Sequence, residues 1–227
     1  MALTSFSSGV VKYLLFSIGS AGIVGLQNTI GPYTLSIPHK TFIKGNCVYS
    51  FIKGSGPAND SVHAAMMGNG SASTTTLPFQ NYSIEVSPYK NKALIWDQYT
   101  QIYIYNISNG ALALDHIYNV SIIGSSDRTT TIHFSADGEL ALIEVANKGD
   151  VRVLNLTDYS VTHSFSTGSG RIDGAVFLDA QSRFIYIQKS SGSNQVYDTT
   201  TSTLVDFTGS IGIYPRADPY SSQLYDI

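Results

Sequence analysis

Phe134-Ser135-Ala136-Asp137-Gly138-Glu139-Leu140-Ala141-Leu142-Ile143 decides the fold. An apolar strand end meets an Asp-Gly turn, and a second apolar strand follows. Asp hydrogen-bonds its own backbone at such turns and Gly accepts positive φ, so the pair closes a tight hairpin. The same order of events recurs at Phe6-Ser7-Ser8-Gly9, Phe42-Ile43-Lys44-Gly45-Asn46, Val86-Ser87-Pro88-Tyr89-Lys90-Asn91 and Phe177-Leu178-Asp179-Ala180-Gln181-Ser182. A weaker copy is Tyr214-Pro215-Arg216-Ala217-Asp218, and successive anchors lie 36, 44, 48, 43 and 37 residues apart.

A second landmark alternates with the first. An apolar strand ends in Asn or Asp at Asn28, Asn69, Asn106, Asn155 and Asp198, at steps of 41, 37, 49 and 43 residues. Two interleaved turn signals at this period define a four-strand unit: A, turn, B, C, Asn/Asp turn, D. In the fourth unit the strands are predicted over Thr131–Phe134, Leu140–Ala146, Asp150–Leu154 and Val161–Phe165. One unit cannot bury both faces alone, so units must stack side by side.

These residues resemble the blades of WD-repeat and YVTN-like β-propellers, most strongly over Ile132–Phe207 and least over Asn46–Gln80. Two features depart from the WD-repeat pattern. Trp96-Asp97 falls on a B strand rather than ending a C strand, and no Gly-His pair precedes the units. The resemblance implies an all-β propeller of antiparallel four-stranded blades in one domain, 1–227. Its expected blades are about 1–38, 39–80, 81–120, 121–168 and 169–208, with an unfinished sixth over 209–227. Complete rings of this superfamily have six to eight blades. The expectation is therefore a missing C-terminal portion, or a protein partner covering the open edge near Ile227.

Residues Tyr13–Leu26 admit two assignments. They form an apolar, uncharged stretch after Lys12, like a secretory h-region, and are too short to span a membrane. As a blade, Tyr13–Ile18 is strand B and Ile23–Leu26 strand C. Gly22, Val24 and Asn28 then align with Gly149, Val151 and Asn155 without a gap. The alignment favours the blade.

Charged residues are 13% of the chain, against about 25% in an average soluble domain. The net charge is −3, with no basic run. A nucleic-acid partner is not expected, because phosphate neutralisation needs a cationic stripe. Hydroxyls, amides and 15 tyrosines replace the missing charges, a composition pointing to the cell exterior or a virus particle rather than the cytoplasm. The single cysteine, Cys47, excludes an internal disulfide and a four-cysteine zinc site, and reads as a buried strand residue.

Candidate sites are sparse. Sequons stand at Asn59, Asn69, Asn81, Asn106, Asn119 and Asn155, where chance gives about two or three. They are glycosylation candidates, although Asn69, Asn106 and Asn155 also satisfy the turn grammar. Glu85 and His133 take equivalent strand-A slots in adjacent blades, next to the axis. They are weak candidates for acid–base catalysis, with a structural pair the alternative. His39, His116 and His163 are expected on or beyond outer D strands, too scattered for a metal. Gly54–Asn59 and Gly68–Thr76 read as loops. Tyr103, Tyr105, Tyr159, Tyr186 and Tyr197 are either contact residues or simple strand formers. No nucleotide, hydrolase-elbow or calcium motif occurs, and no cofactor is expected. The functional expectation is a non-catalytic scaffold with a protein partner. A lactonase-like or hydrolase-like enzyme and a ligand-binding propeller are the alternatives.

Overall fold

Short segments that are apolar on both faces fit strands packed between two neighbouring sheets. In the computed structural model every regular element among the described residues is a strand. The structure describes residues 2–7, 10–18, 24–34, 38–53, 60–77, 83–87, 89–96, 101–120, 129–145, 149–168, 170–208, 216–217 and 224–225. The first sheet holds β1 (Ala2–Ser7), β2 (Val10–Ile18) and β3 (Val24–Thr34), and the second β4 (Pro38–Lys44), β5 (Cys47–Ile52), β6 (Ser61–Met66) and β7 (Ala72–Thr76). The third holds β8 (Ser83–Val86), β9 (Lys92–Trp96), β10 (Gln101–Ser108) and β11 (Ala111–Asn119). The fourth holds β12 (Thr129–Phe134), β13 (Leu140–Val145), β14 (Asp150–Asn155) and β15 (Val161–Ser166). The fifth holds β16 (Ile172–Phe177), β17 (Phe184–Lys189), β18 (Asn194–Asp198) and β19 (Thr203–Phe207), and a short pair, β20 (Arg216–Ala217) and β21 (Leu224–Tyr225), follows. Within each sheet, spatial order equals chain order and all pairing is antiparallel.

Each apolar cluster joins two sheets consecutive in sequence. Ala93 and Ile95 of β9 pack back onto Tyr49, Phe51 and Val62 of the second sheet. Leu94 and Trp96 of the same strand pack forward onto Ile132, Ala141 and Ile143 of the fourth. Alternation along β13 repeats the arrangement, with Leu142 facing Ala175, Ile185 and Ile187 of the fifth sheet. Val11, Tyr13 and Ile30 join the first sheet to Val48 and Ala65 of the second. Successive side chains of a strand point to opposite faces, so one apolar run serves two cores.

Several expectations change. The first sheet has three described strands, not four. β3 runs through the stretch expected to turn and form strand D, with Asn28 paired to Leu15 in mid-ladder. The nine-residue β2 supplies enough pairing partners to override the turn preference of one Asn. Asn106 likewise lies inside β10 opposite Ala113, and the turn comes later, at Asn109-Gly110, both at positive φ. In the stretch read as loop, Ala72–Thr76 is strand β7; five small residues gave no apolar alternation to read. The other expected loop, Gly54–Asn59, lies outside the described residues. Val10–Ile18 is strand β2, with Val11 and Tyr13 fully buried.

Candidate functional site

Two regions present polar or apolar groups where a ligand could reach them. The first is the inner end of the sheets, where β1 lies beside β4 and β12 beside β16. Thr41, Glu85, His133 and Val176 occupy equivalent positions there, opposite Ser50, Leu94, Leu142 and Tyr186. Glu85 takes its ion-pair partner from the preceding sheet: Lys40 Nζ binds its carboxylate and also donates to the Ile84 carbonyl at 3.0 Å. Lys44 Nζ donates to the Ser87 carbonyl at 3.0 Å, and burial pulls its pKa down. Two lysines of β4 thus tie the second sheet to the third. Both Lys40 and Glu85 are about one-third exposed, so water screens the pair and its contribution is at most about 1 kcal/mol. His133 is half-buried one sheet further on. Among the described residues, no group of three His, Cys, Asp or Glu side chains is placed to hold a metal.

The second region is the outer rim. Leu114 and Ile117 on β11, Val161 on β15, and Val205 and Phe207 on β19 are all exposed, with Leu114 at 50% and Val205 at 58%. Each belongs to the fourth strand of its sheet, on three consecutive sheets. Polar groups fringe them. Asp115 accepts from Lys92 and Tyr159, and His116 stacks on the Tyr159 ring at 4.2 Å. The Lys92 ammonium, then the Tyr159 hydroxyl, hold the Asp115 carboxyl below its ordinary range.

The histidines divide differently from expectation. His116 and His163 lie on outer strands β11 and β15, but His39 lies on β4, the inner strand of its sheet. His63 on β6 is buried beneath Tyr33, 4.7 Å between ring centres, with Nδ1 3.2 Å from Thr74 Oγ1. Four of the five singled-out tyrosines are core residues: Tyr103, Tyr105, Tyr186 and Tyr197 are buried. Only Tyr159 stays half-exposed, at a turn with φ +61°. Cys47 is buried on β5. Asn69, Asn106 and Asn119 are exposed and Asn155 half-buried. Asn69 and Asn155 each accept the backbone N–H two residues on. Asn59 and Asn81 lie outside the described residues.

No family model and no curated protein sequence matches this chain. Solved structures do. The β-propeller domain of Cps50 (Swd1) from Myceliophteria thermophila superposes with a TM-score of 0.50 at 14% identity, over 89% of this chain and 70% of that one. The periplasmic gluconolactonase PpgL of Pseudomonas aeruginosa superposes with a TM-score of 0.56 at 12% identity, over 89% of this chain and 64% of that one. The chain is a β-propeller. Its five sheets are blades, their first strands face the axis, and their last strands form the rim. At these identities the likeness carries the fold alone, and the neighbours include both a WD-type propeller and lactonases. No helix among the described residues is long and apolar enough to cross a membrane.

Proposed function

We propose that this propeller is a non-catalytic scaffold that binds a protein through the rim of its third, fourth and fifth blades, on a cell surface or virus particle. The carrying observation is the run of exposed apolar side chains on three consecutive outer strands: Leu114, Ile117, Val161, Val205 and Phe207. Large exposed apolar groups on neighbouring elements, fringed by polar ones, are what a partner's surface covers. The low charge content and the exposed sequons Asn69, Asn106 and Asn119 support placement outside the cytoplasm. They are proposed as glycan sites. Photo-cross-linkers at Val205 and at Thr41 separate rim from axis. A specific protein adduct from Val205, abolished by Leu114→Asp and Val161→Asp, supports the proposal. Adducts from Thr41 alone contradict it.

A lactonase-like enzyme is the second reading, favoured by Glu85 and His133 at equivalent inner positions. It requires lactone hydrolysis that falls at least about tenfold in both Glu85→Gln and His133→Ala.

A further inference from the structure

Residues 1–37 contain no Asp, Glu, His or Arg, and Lys12 is their one charged side chain. Lys12 is exposed, so the first blade brings neutral groups to its joint with the second. Val11, Tyr13 and Ile30 pack there on Val48 and Ala65. Tyr13 Oη donates to Ser50 Oγ at 2.9 Å, and Tyr33 Oη to the Gly70 carbonyl at 2.6 Å. The other joints differ, because a charged side chain crosses each of them. Lys40 reaches Glu85, Lys90 reaches Glu139, and Glu144 accepts the Ala175 N–H.

His63 on β6 stands in the first joint, 4% exposed. Its ring centre lies 4.7 Å from that of Tyr33 and 6.4 Å from that of Tyr13, both on the first blade. Nδ1 is 3.2 Å from Thr74 Oγ1 on β7, and Nε2 is buried with no hydrogen-bond partner. A neutral imidazole carries one N–H and leaves only one nitrogen unmet. An imidazolium carries two N–H donors and a charge, and the second donor has nothing to bond. Tyrosine rings attract a cation, but neither hydroxyl meets Nε2. The strands around His63 do not compensate the charge. β7 is Ala-Ser-Thr-Thr-Thr, and Cys47 and Tyr49 of β5 belong to the core shared with the third blade. Asp60 is the sole carboxylate before Glu85, and it shares the strand parity of Val62, which packs on the third blade.

We propose that the joint between the first and second blades opens in acid: protonation of His63 separates Tyr13 and Tyr33 from the second blade while the other joints hold. The imidazole takes one proton from solvent as it meets water. Burial holds its pKa below the ordinary 6.5 in the closed joint, the same preference seen from the closed side. Asp115 and Glu139, at the joint of the third and fourth blades, are held below the usual carboxylate range by Lys92 and Lys90. That joint therefore keeps its charges where His63 gains one. A released blade cannot bury its faces alone, so its own ladders open too. The device depends neither on the rim surface nor on the compartment proposed above.

The test is hydrogen exchange of the intact chain between pH 7.5 and pH 5, with the intrinsic rate of each amide divided out. Below about pH 6.5 the protection of β2 and β3 is expected to fall by up to about tenfold per pH unit. β13, β14 and β17 are expected to stay as protected as before. His63→Phe keeps a ring against Tyr33 and is expected to remove the fall. His39 on β4 is the other histidine of the second blade, and His39→Gln is expected to leave the fall in place. Should His63→Phe not fold, Thr74→Asp decides. Thr74 is exposed, and a carboxylate beside Nδ1 bonds the imidazolium and keeps the joint closed. The proposal is overturned if β2 and β3 stay protected at pH 5, or if β13, β14 and β17 lose protection equally. It is also overturned if the fall survives in His63→Phe or Thr74→Asp, or disappears in His39→Gln.

Discussion

Glu144 on β13 is fully buried and accepts a hydrogen bond from the backbone N–H of Ala175 on β16. A side chain of the fourth blade thus satisfies a main-chain donor of the fifth, next to the register shift between Ile172 and Gly174. Such a contact holds only while the two sheets stand side by side.

Glu144→Ala removes the acceptor and leaves the buried Ala175 N–H unpaired. The expected loss is about 2–4 kcal/mol, read from urea unfolding. Glu144→Gln keeps an oxygen in place and loses less. Equal losses in the two variants would deny the bond its role.

Gly138 meets the preceding blade at close quarters. Its φ is +73°, and a Cβ there would stand 2.3 Å from Ser87 Oγ, the hydroxyl that donates to the Gly138 carbonyl at 3.2 Å. Gly138→Ala is expected to cost about 2–3 kcal/mol from backbone strain plus the clash. Removing the hydroxyl relieves the clash, so Ser87→Ala with Gly138→Ala is no less stable than Gly138→Ala alone. Additive losses in denaturant melts would show that the two residues do not touch.

Burial lowers the pKa of His63 below its ordinary 6.5. Tyr13 and Tyr33 face its ring and are neutral in that range. A depressed folded-state pKa means the stability is present above about 6.5 and is lost as pH falls through the folded value. Chemical unfolding between pH 7 and 5 is expected to show this decline, and His63→Phe to flatten it. An unchanged slope in the variant would count against a neutral buried imidazole.

Tyr49 behaves in the opposite sense. Burial pushes its phenol up to about 12, while its oxygen accepts the Gly110 N–H at 3.1 Å from the next blade. A raised folded-state pKa gives stability that is whole below the unfolded value near 10 and disappears as pH rises through 12. Phenolate absorbance should therefore show one late-ionising tyrosine fewer in Tyr49→Phe.

The turn at Asp137-Gly138 was legible because its chemistry is local, and the four strands around it fall within two residues of their predicted ends. Trp96 was likewise placed on the second strand of its blade. Asn28 misled because the same residue type serves a turn at Asn155 and a mid-strand ladder position opposite Leu15. Only the length of the pairing strand distinguishes the two. The rim surface left no signal of its own. Leu112 and Leu114 read alike in sequence and share one face of β11, yet one is 8% and the other 50% exposed, because the core shared with the second blade covers Leu112 and stops short of Leu114. Lys40 and Glu85 are 45 positions apart, and nothing but the stacking of blades brings them together.

Lateral stacking itself is tested by Leu94→Ala followed by hydrogen exchange. Leu94 sits on the third blade but packs among Ile132, Ala141, Ile143 and Leu154 of the fourth. The cavity should accelerate exchange in β13 and β14 as much as in β9 and β10, because both blades share that core. Faster exchange confined to the third blade, with β13 and β14 as protected as before, would contradict the architecture.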